Sequence, residues 1–200
     1  MRAVIITGGE IRDYEYTKLL IHKNDTIICA DSGYDHAIKM NLSPSVLIGD
    51  LDSIKGSVKE DLKIIKYPTD KNFTDTELAL QYAKEENFEN ILILGAIGTR
   101  FDHTIANILL LTQFTNAIIL NENNKVQVGT DITLEEEVGT IVSLIPISKC
   151  VGIYTKNLKY QLVNATMEIG HSLGISNVMI SSVANITVSS GAMLVVVAND

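Results

Sequence analysis

The hydrophobic pattern changes its period near residue 120. Before that point, short continuous apolar runs alternate with stretches in which apolar residues recur every three to four positions. After it, apolar and polar residues alternate over short segments broken by turn residues. Short continuous runs read as strands buried on both faces, and the longer period reads as helix. The first part predicts strands at 3–7, 26–30, 46–48, 63–67, 91–94 and 117–120. Helices are predicted at 13–22, 34–40, 75–86 and 103–114, where Leu78 with Tyr82, Ala79 with Ala83 and Ile105 with Leu109 share faces. Strands alternating with helices imply a parallel sheet covered on both faces.

The second part predicts strands at 126–128, 132–135, 140–145, 152–154, 160–163, 177–181, 186–188 and 194–197. Ser189-Ser190-Gly191 reads as a hairpin turn, and Lys156-Asn157-Leu158-Lys159 as another. Many short strands separated by turns suggest an antiparallel sandwich. Asn121-Glu122-Asn123-Asn124 supplies a turn between the two patterns. The expected architecture is an α/β domain with a parallel sheet over 1–122, followed by an antiparallel β-sandwich domain over 123–200.

Charge follows the same division: 17 of the 24 acids and 12 of the 16 bases fall in the first 120 residues, leaving the sandwich poor in charge. The net charge of −8 argues against a nucleic-acid partner, because neutralising phosphates takes clustered Lys and Arg. It leaves nucleotides open, since an acidic site binds phosphates through magnesium. Cys29 and Cys150 are too far apart in sequence for a metal pair or a disulfide framework, and read as small buried residues in a reducing cytoplasm. No apolar run is long enough for a signal peptide or a membrane span, so no membrane partner is expected.

The position of the aspartates is more informative than their number. Asp31 follows the second predicted strand. Asp50 and Asp52 follow the third, Asp70 and Asp75 the fourth, and Asp102 the fifth. Four consecutive strand ends thus deliver carboxylates to one rim of the sheet, the rim where ligands of such sheets bind. Each acid has a plainer reading, because Asp is a common helix N-cap. Asp75 and Glu77 belong to a capping box, Thr74-Asp75-Thr76-Glu77, and either role stays open for them. The pair Asp50/Asp52 resists the capping reading best. In extended backbone, residues two apart point the same way, and two adjacent carboxylates repel unless a cation lies between them. Magnesium suits such a pair, taking carboxylate oxygen, water and substrate phosphate.

Gly8 and Gly9, after the first strand, would let backbone amides approach a phosphate. Neither a Walker A loop nor a dinucleotide fingerprint is present. Arg100 offers a fork for bidentate phosphate contact and Lys71 a point charge beside it. His103, at a helix start, reads as a base or as an exposed first-turn residue.

Ala30-Asp31-Ser32-Gly33, Ile48-Gly49-Asp50-Leu51-Asp52-Ser53, Asp70-Lys71-Asn72-Phe73-Thr74-Asp75-Thr76-Glu77 and Gly98-Thr99-Arg100-Phe101-Asp102-His103 together resemble the thiamine pyrophosphokinases. The likeness continues more loosely into Ser172-Leu173-Gly174-Ile175-Ser176-Asn177. It implies an α/β nucleotide domain and a β-sandwich working as a homodimer, with thiamine between the α/β domain of one subunit and the sandwich of the other. It implies transfer of a pyrophosphoryl group from ATP to the thiamine hydroxyl, releasing AMP. Asp50, Asp52 and Asp75 would hold Mg2+, with Asp31 as a further acid. Arg100 and Asp102 would contact nucleotide or substrate. Gly8, Gly9, Ser32, Gly33, Lys71, Asn72, Thr74 and His103 would stand around the nucleotide, and Ser172, Ser176 and Asn177 around thiamine. Two departures stand out: Asn72 occupies a position where relatives often carry Asp, and the last nine residues hold no aromatic to stack on the thiamine rings. Other readings of the same residues are a different magnesium-dependent phosphotransferase or hydrolase, and a nucleotide or thiamine sensor without turnover.

Overall fold

The computed structural model describes residues 1–198 except 53, 55–57, 59–61, 69 and 71. The chain divides into two compact units, Met1–Glu122 and Asn123–Asp200.

The first unit runs β1 (Arg2–Ile6), α1 (Tyr14–Leu19), β2 (Thr26–Ala30), α2 (Gly33–Lys39), β3 (Val46–Gly49), β4 (Lys63–Lys66), α3 (Asp75–Glu85), β5 (Asn90–Leu94), α4 (Phe101–Leu110) and β6 (Ala117–Leu120). The strands lie in the order β6-β5-β1-β2-β3-β4, every pair parallel. Val4, Ile6, Ile27, Cys29 and Leu47 face one side, where Tyr34 and Ala37 of α2 join their cluster. The alternate residues Ala3, Ile5, Ile28 and Ile48 are also buried, on the face that α3 covers with Leu78, Ala79 and Ala83. Burial on both faces is why these strands read as continuous apolar runs. The chain steps outward from β1 through β4, then returns to the other side of β1 for β5. The order therefore reverses between β1 and β5, the switch point where such sheets open a crevice.

Helix ends differ from the periodicity in informative ways. Asp13 is the N-cap of α1, its Oδ1 accepting from Tyr16 N at 2.9 Å, and the helix stops at Leu19 rather than at residue 22. There the Asp25 carboxylate accepts from His22 N at 2.6 Å and from Arg2 Nε at 2.9 Å, tying the chain to β1. Helix α4 begins at Phe101, so Asp102 and His103 lie in its first turn, and it ends at Leu110 rather than at residue 114. Its buried positions are Thr104, Asn107 and Leu110, while Phe101, Ile105 and Leu109 are exposed. The face predicted at Ile105 and Leu109 is thus an apolar stripe turned outward.

The second unit consists of β7 (Asn124–Gly129), β8 (Asp131–Glu135), β9 (Ile141–Pro146), β10 (Cys150–Lys156), β11 (Ala165–Met167), β12 (Asn177–Val178), β13 (Val183–Ser190) and β14 (Met193–Ala198). Two antiparallel sheets, β12-β9-β14-β7 and β11-β10-β13-β8, form it. Leu134, Ile153, Ala184 and Ile186 from one sheet meet Val142, Leu144, Val195 and Val197 from the other in a common core. This is the sandwich that the alternating pattern predicts.

Two local expectations fail. Ser189-Ser190-Gly191 makes no hairpin: β13 pairs with β10 and β8, whereas β14 pairs with β7 and β9, so the turn crosses between sheets. Gly191 takes φ +105°, and a Cβ there would stand 2.3 Å from Lys149 O. Residues 160–163 form no strand, and Lys156–Lys159 is accordingly no two-strand hairpin. Tyr160 gives its backbone instead to a side chain: its N donates to Asn177 Oδ1 at 2.9 Å, and its O accepts from Asn177 Nδ2 at 2.7 Å. β10 pairs instead with β11 and β13, both farther along the chain.

A candidate active site at the carboxyl ends of the parallel strands

The loops after β1 and β5 are fastened to each other at the switch point. Thr7 N donates to Leu94 O at 2.9 Å, Gly9 N to Gly95 O at 2.8 Å, and Glu10 N to Ile97 O at 2.9 Å. Such close approach requires glycine, since a Cβ at Gly9 would stand 2.1 Å from Gly95 O. The Gly9 N–H is thereby engaged with the Gly95 carbonyl. A Cβ at Gly8 would stand 2.0 Å from Ser32 Oγ, and one at Gly33 2.0 Å from Ile6 O.

A cleft of about 560 Å³ opens over these loops. Thr7, Gly8, Gly9 and Glu10 line it after β1, Asp31 and Ser32 after β2, and Asp50 after β3. Phe73, Thr74, Asp75 and Thr76 close it at the start of α3. Ala96, Gly98, Thr99, Arg100, His103, Thr104 and Asn107 come from the segment after β5. Asp31, Asp50 and Asp75 of the strand-end aspartates line this cleft, whereas Asp70 and Asp102 do not.

Asp31, Asp50 and Asp52 each offer a carboxylate oxygen within 4.8 Å of one another. Asp31 has φ +48° and Leu51 φ +70°, and Asp52 N donates to Asp50 Oδ1 at 3.3 Å. The Asp50/Asp52 pair is thus brought together by a turn, not by the extended backbone that the spacing suggested. Asp31 Oδ1 is buried and accepts no hydrogen bond among the described residues. A buried carboxylate oxygen without a donor, facing two more carboxylates, fits a hard divalent cation such as magnesium. Asp75 lies alongside: a Cβ at Gly49 would stand 3.1 Å from Asp75 Oδ1 and 3.3 Å from Asp31 Cβ. Asp31, rather than Asp75, completes the triad, while Thr74 caps α3 by accepting from Glu77 N at 3.2 Å.

Across the cleft, Arg100 and Asp102 form a two-pronged pair, Nε to Oδ1 at 2.9 Å and the second nitrogen to Oδ2 at 2.7 Å. The guanidinium holds the Asp102 carboxyl far below the ordinary carboxylate range. Asp102 is therefore a weak proton acceptor and a partner for Arg100. Thr104 and Asn107, which sequence reasoning passed over, shape the segment that carries Arg100. Thr104 Oγ1 accepts from Gly98 N at 3.1 Å, and Asn107 Nδ2 donates to Ala96 O at 2.8 Å. Their signal in the sequence was two polar residues on the inward face of α4. Asn72 is exposed and does not line the cleft, and Lys71 lies outside the described residues.

Ser172, Ser176 and Asn177 belong to the second unit. Ser172 is exposed, its carbonyl accepting from Ile175 N at 3.3 Å. Ser176, at φ +56°, donates its N–H to Ser143 Oγ at 3.1 Å. Asn177 is buried, and its amide organises the Tyr160 loop.

Residues 17–126 match the family model described as thiamin pyrophosphokinase, catalytic domain, and residues 129–195 match thiamin pyrophosphokinase, vitamin B1 binding domain. A thiamin pyrophosphokinase of Caenorhabditis elegans is 30% identical over 157 residues, covering 70% of this chain and 64% of the relative. The thiamine pyrophosphokinase of Bacillus subtilis is 28% identical over 186 residues, covering 86% of this chain and 87% of the relative. The crystal structure of thiamin pyrophosphokinase from Geobacillus thermodenitrificans superposes with a TM-score of 0.90 at 26% identity, over 100% of this chain and 98% of that one. With both family models matched in order along a chain of this fold, the chain belongs to the thiamine pyrophosphokinase family.

Proposed function

We propose that this chain transfers a pyrophosphoryl group from ATP to the hydroxyl of thiamine, giving thiamine pyrophosphate and AMP. The observation that carries the reading is the carboxylate triad at the rim of a switch-point cleft, with one buried oxygen lacking a donor among the described residues. Asp31, Asp50 and Asp52 would hold Mg2+, with Asp75 beside them. Bound there, magnesium supplies positive charge to the phosphate oxygens of ATP. The chain's own contribution is positioning and charge. Gly8, Gly9, Ser32, Gly33 and Thr74 shape the floor against the nucleotide, and His103 flanks it. Arg100, steadied by Asp102, presents its fork to the phosphates. Asp75, at the cleft end of α3, takes the proton of the attacking hydroxyl; the neighbouring guanidinium makes Asp102 a poor acceptor for that step.

Thiamine is held by the second unit, with Ser172 and Ser176 at its pocket and Asn177 supporting the loop beneath. The protein works as a homodimer whose sites draw on both copies, and the apolar stripe Phe101, Ile105 and Leu109 supports such an assembly. Cytoplasmic residence is supported by the free thiols of Cys29 and Cys150. No described helix is long and apolar enough to cross a membrane. The net charge of −8 disfavours nucleic acid as a partner.

Chromatography of the protein incubated with ATP, magnesium and thiamine tests the reaction. Thiamine pyrophosphate with equimolar AMP is the expected outcome. Production of ADP would make the chain a phosphokinase, and nucleotide release without thiamine would make it a hydrolase. Binding of both substrates without product would make it a sensor.

A further inference from the structure

Behind the cleft, on the far side of the loop after β1, lies a polar cluster that the proposed chemistry does not use. His36, half-buried on α2, places Nε2 2.9 Å from Gly9 O and Nδ1 2.7 Å from the Tyr14 hydroxyl. Tyr14 begins α1, directly after the loop, and the two rings sit 5.7 Å apart at 43°. Lys39 Nζ lies 3.9 Å from the centre of the Tyr14 ring and holds it in place. A carbonyl only accepts, so the imidazole must carry its proton on Nε2, and Nδ1 then accepts from the Tyr14 hydroxyl. Burial lowers the His36 pKa, and Lys39 lowers it further, against the raising effects of the Gly9 carbonyl and Asp35. The neutral ring, one donor and one acceptor, is thereby the form the site favours.

The loop is gripped from two sides. The β5 loop takes the N–H groups of Gly9 and Glu10, and His36 takes the Gly9 carbonyl. The peptide planes that line the cleft at Gly8 and Gly9 cannot rotate without breaking one grip or the other. We infer that His36 is a positioning residue for nucleotide binding: with Tyr14 it forms a strut that fixes the Gly8–Gly9 wall of the cleft in the geometry that receives ATP. This rests on the proposal that the cleft is the ATP site. His36 touches no reacting atom, so its loss weakens nucleotide binding and leaves the chemical step largely intact.

The test is steady-state kinetics of AMP formation by His36→Ala, His36→Gln, Tyr14→Phe and Gly9→Ala, with melting curves to verify folding. His36→Ala should raise KM for ATP roughly threefold to tenfold, the effect of one neutral hydrogen bond. Its kcat and its KM for thiamine should stay within about twofold. Glutamine restores an N–H near the position of Nε2, so His36→Gln should recover most of the ATP affinity. Tyr14→Phe keeps the ring and removes the hydroxyl, and should give a smaller rise in the same constant. Nitrogen NMR of the wild type should show the Nε2–H tautomer. Gly9→Ala separates the two layers of the argument. If it raises KM for ATP while His36→Ala and Tyr14→Phe do not, the loop receives ATP and the strut is wrong. If none of the three changes that constant, the placement of ATP on this loop fails first, and the strut falls with it. Should His36→Ala not fold, an unchanged KM for ATP in Tyr14→Phe, or an Nδ1–H tautomer, overturns the inference.

Discussion

Asp31 combines two costs that stability alone would remove: a left-handed φ of +48° and a buried oxygen with no donor among the described residues. Asn is well suited to the same backbone region, so Asp31→Asn keeps the local geometry while removing a charge. Without a cation, three carboxylates with oxygens within 4.8 Å repel. In EDTA, Asp31→Asn should therefore melt about 2–4 °C above the wild type. Magnesium should raise the Tm of the wild type and not of the variant, while turnover falls on the order of 100-fold. An equal response of both proteins to magnesium would remove the triad from metal binding. After β5, Arg100 depresses the Asp102 pKa. An acid with a lowered folded-state value contributes stability above about pH 4, and loses it as the pH falls through that lower value. Carboxyl carbon NMR should show Asp102 still ionised where ordinary aspartates protonate, and Arg100→Ala should restore the ordinary titration. Ordinary titration in the wild type would mean that the pair is broken in solution.

Among the elements, α4 has two faces with different duties. Its inward face ends the β5 loop through Asn107, whose amide donates to the buried Ala96 carbonyl at 2.8 Å. Asn107→Ala leaves that carbonyl unpaired, at about 1–3 kcal/mol. The urea midpoint should fall accordingly, and kcat should fall with it, since the same loop carries Arg100. A variant as stable as the wild type but equally impaired would move Asn107 from support to substrate contact. The outward face, Phe101, Ile105 and Leu109, repeats at one helical turn and is exposed. Hydrophobic periodicity reports that a face is apolar; it does not report what covers it.

At the scale of the molecule, the proposed homodimer predicts a solution mass about twice 21.9 kDa by sedimentation equilibrium. It also predicts complementation between inactive parents. Asp52→Asn lesions the first unit and Ser176→Trp the second, so in a mixed dimer with shared sites one site carries both lesions and the other neither. After dissociation and random reassociation, activity should return to about a quarter of the wild type. Mixed dimers seen by native mass spectrometry without recovered activity would mean that each copy works alone.

Several features were legible in the sequence because they depend on local pattern. Val4 to Ile6 and Ile27 to Ala30 had to be strands buried on both faces, and residues near Ile132, Val142 and Ile186 had to alternate. Asp31, Asp50 and Asp75, which line the cleft, had to share a rim, since every parallel strand directs its carboxyl end the same way. Other features were decided only in three dimensions. The left-handed turn at Leu51, not extended backbone, brings Asp50 to Asp52, and it is the crossing of β2 beside β3 that adds Asp31. The Gly9 N–H meets the Gly95 carbonyl because the sheet order sets β5 against β1. Gly191 turns the chain between sheets rather than into a hairpin because both neighbouring edges already have other partners. His36 gave no signal at all: its partners, Gly9 and Tyr14, lie 27 and 22 residues away, and no periodicity reaches that far. Pattern fixes which residues are apolar, extended or capping, because those choices are local in energy. Which polar groups meet across the fold depends on strand order, and strand order is set by the packing of the whole sheet.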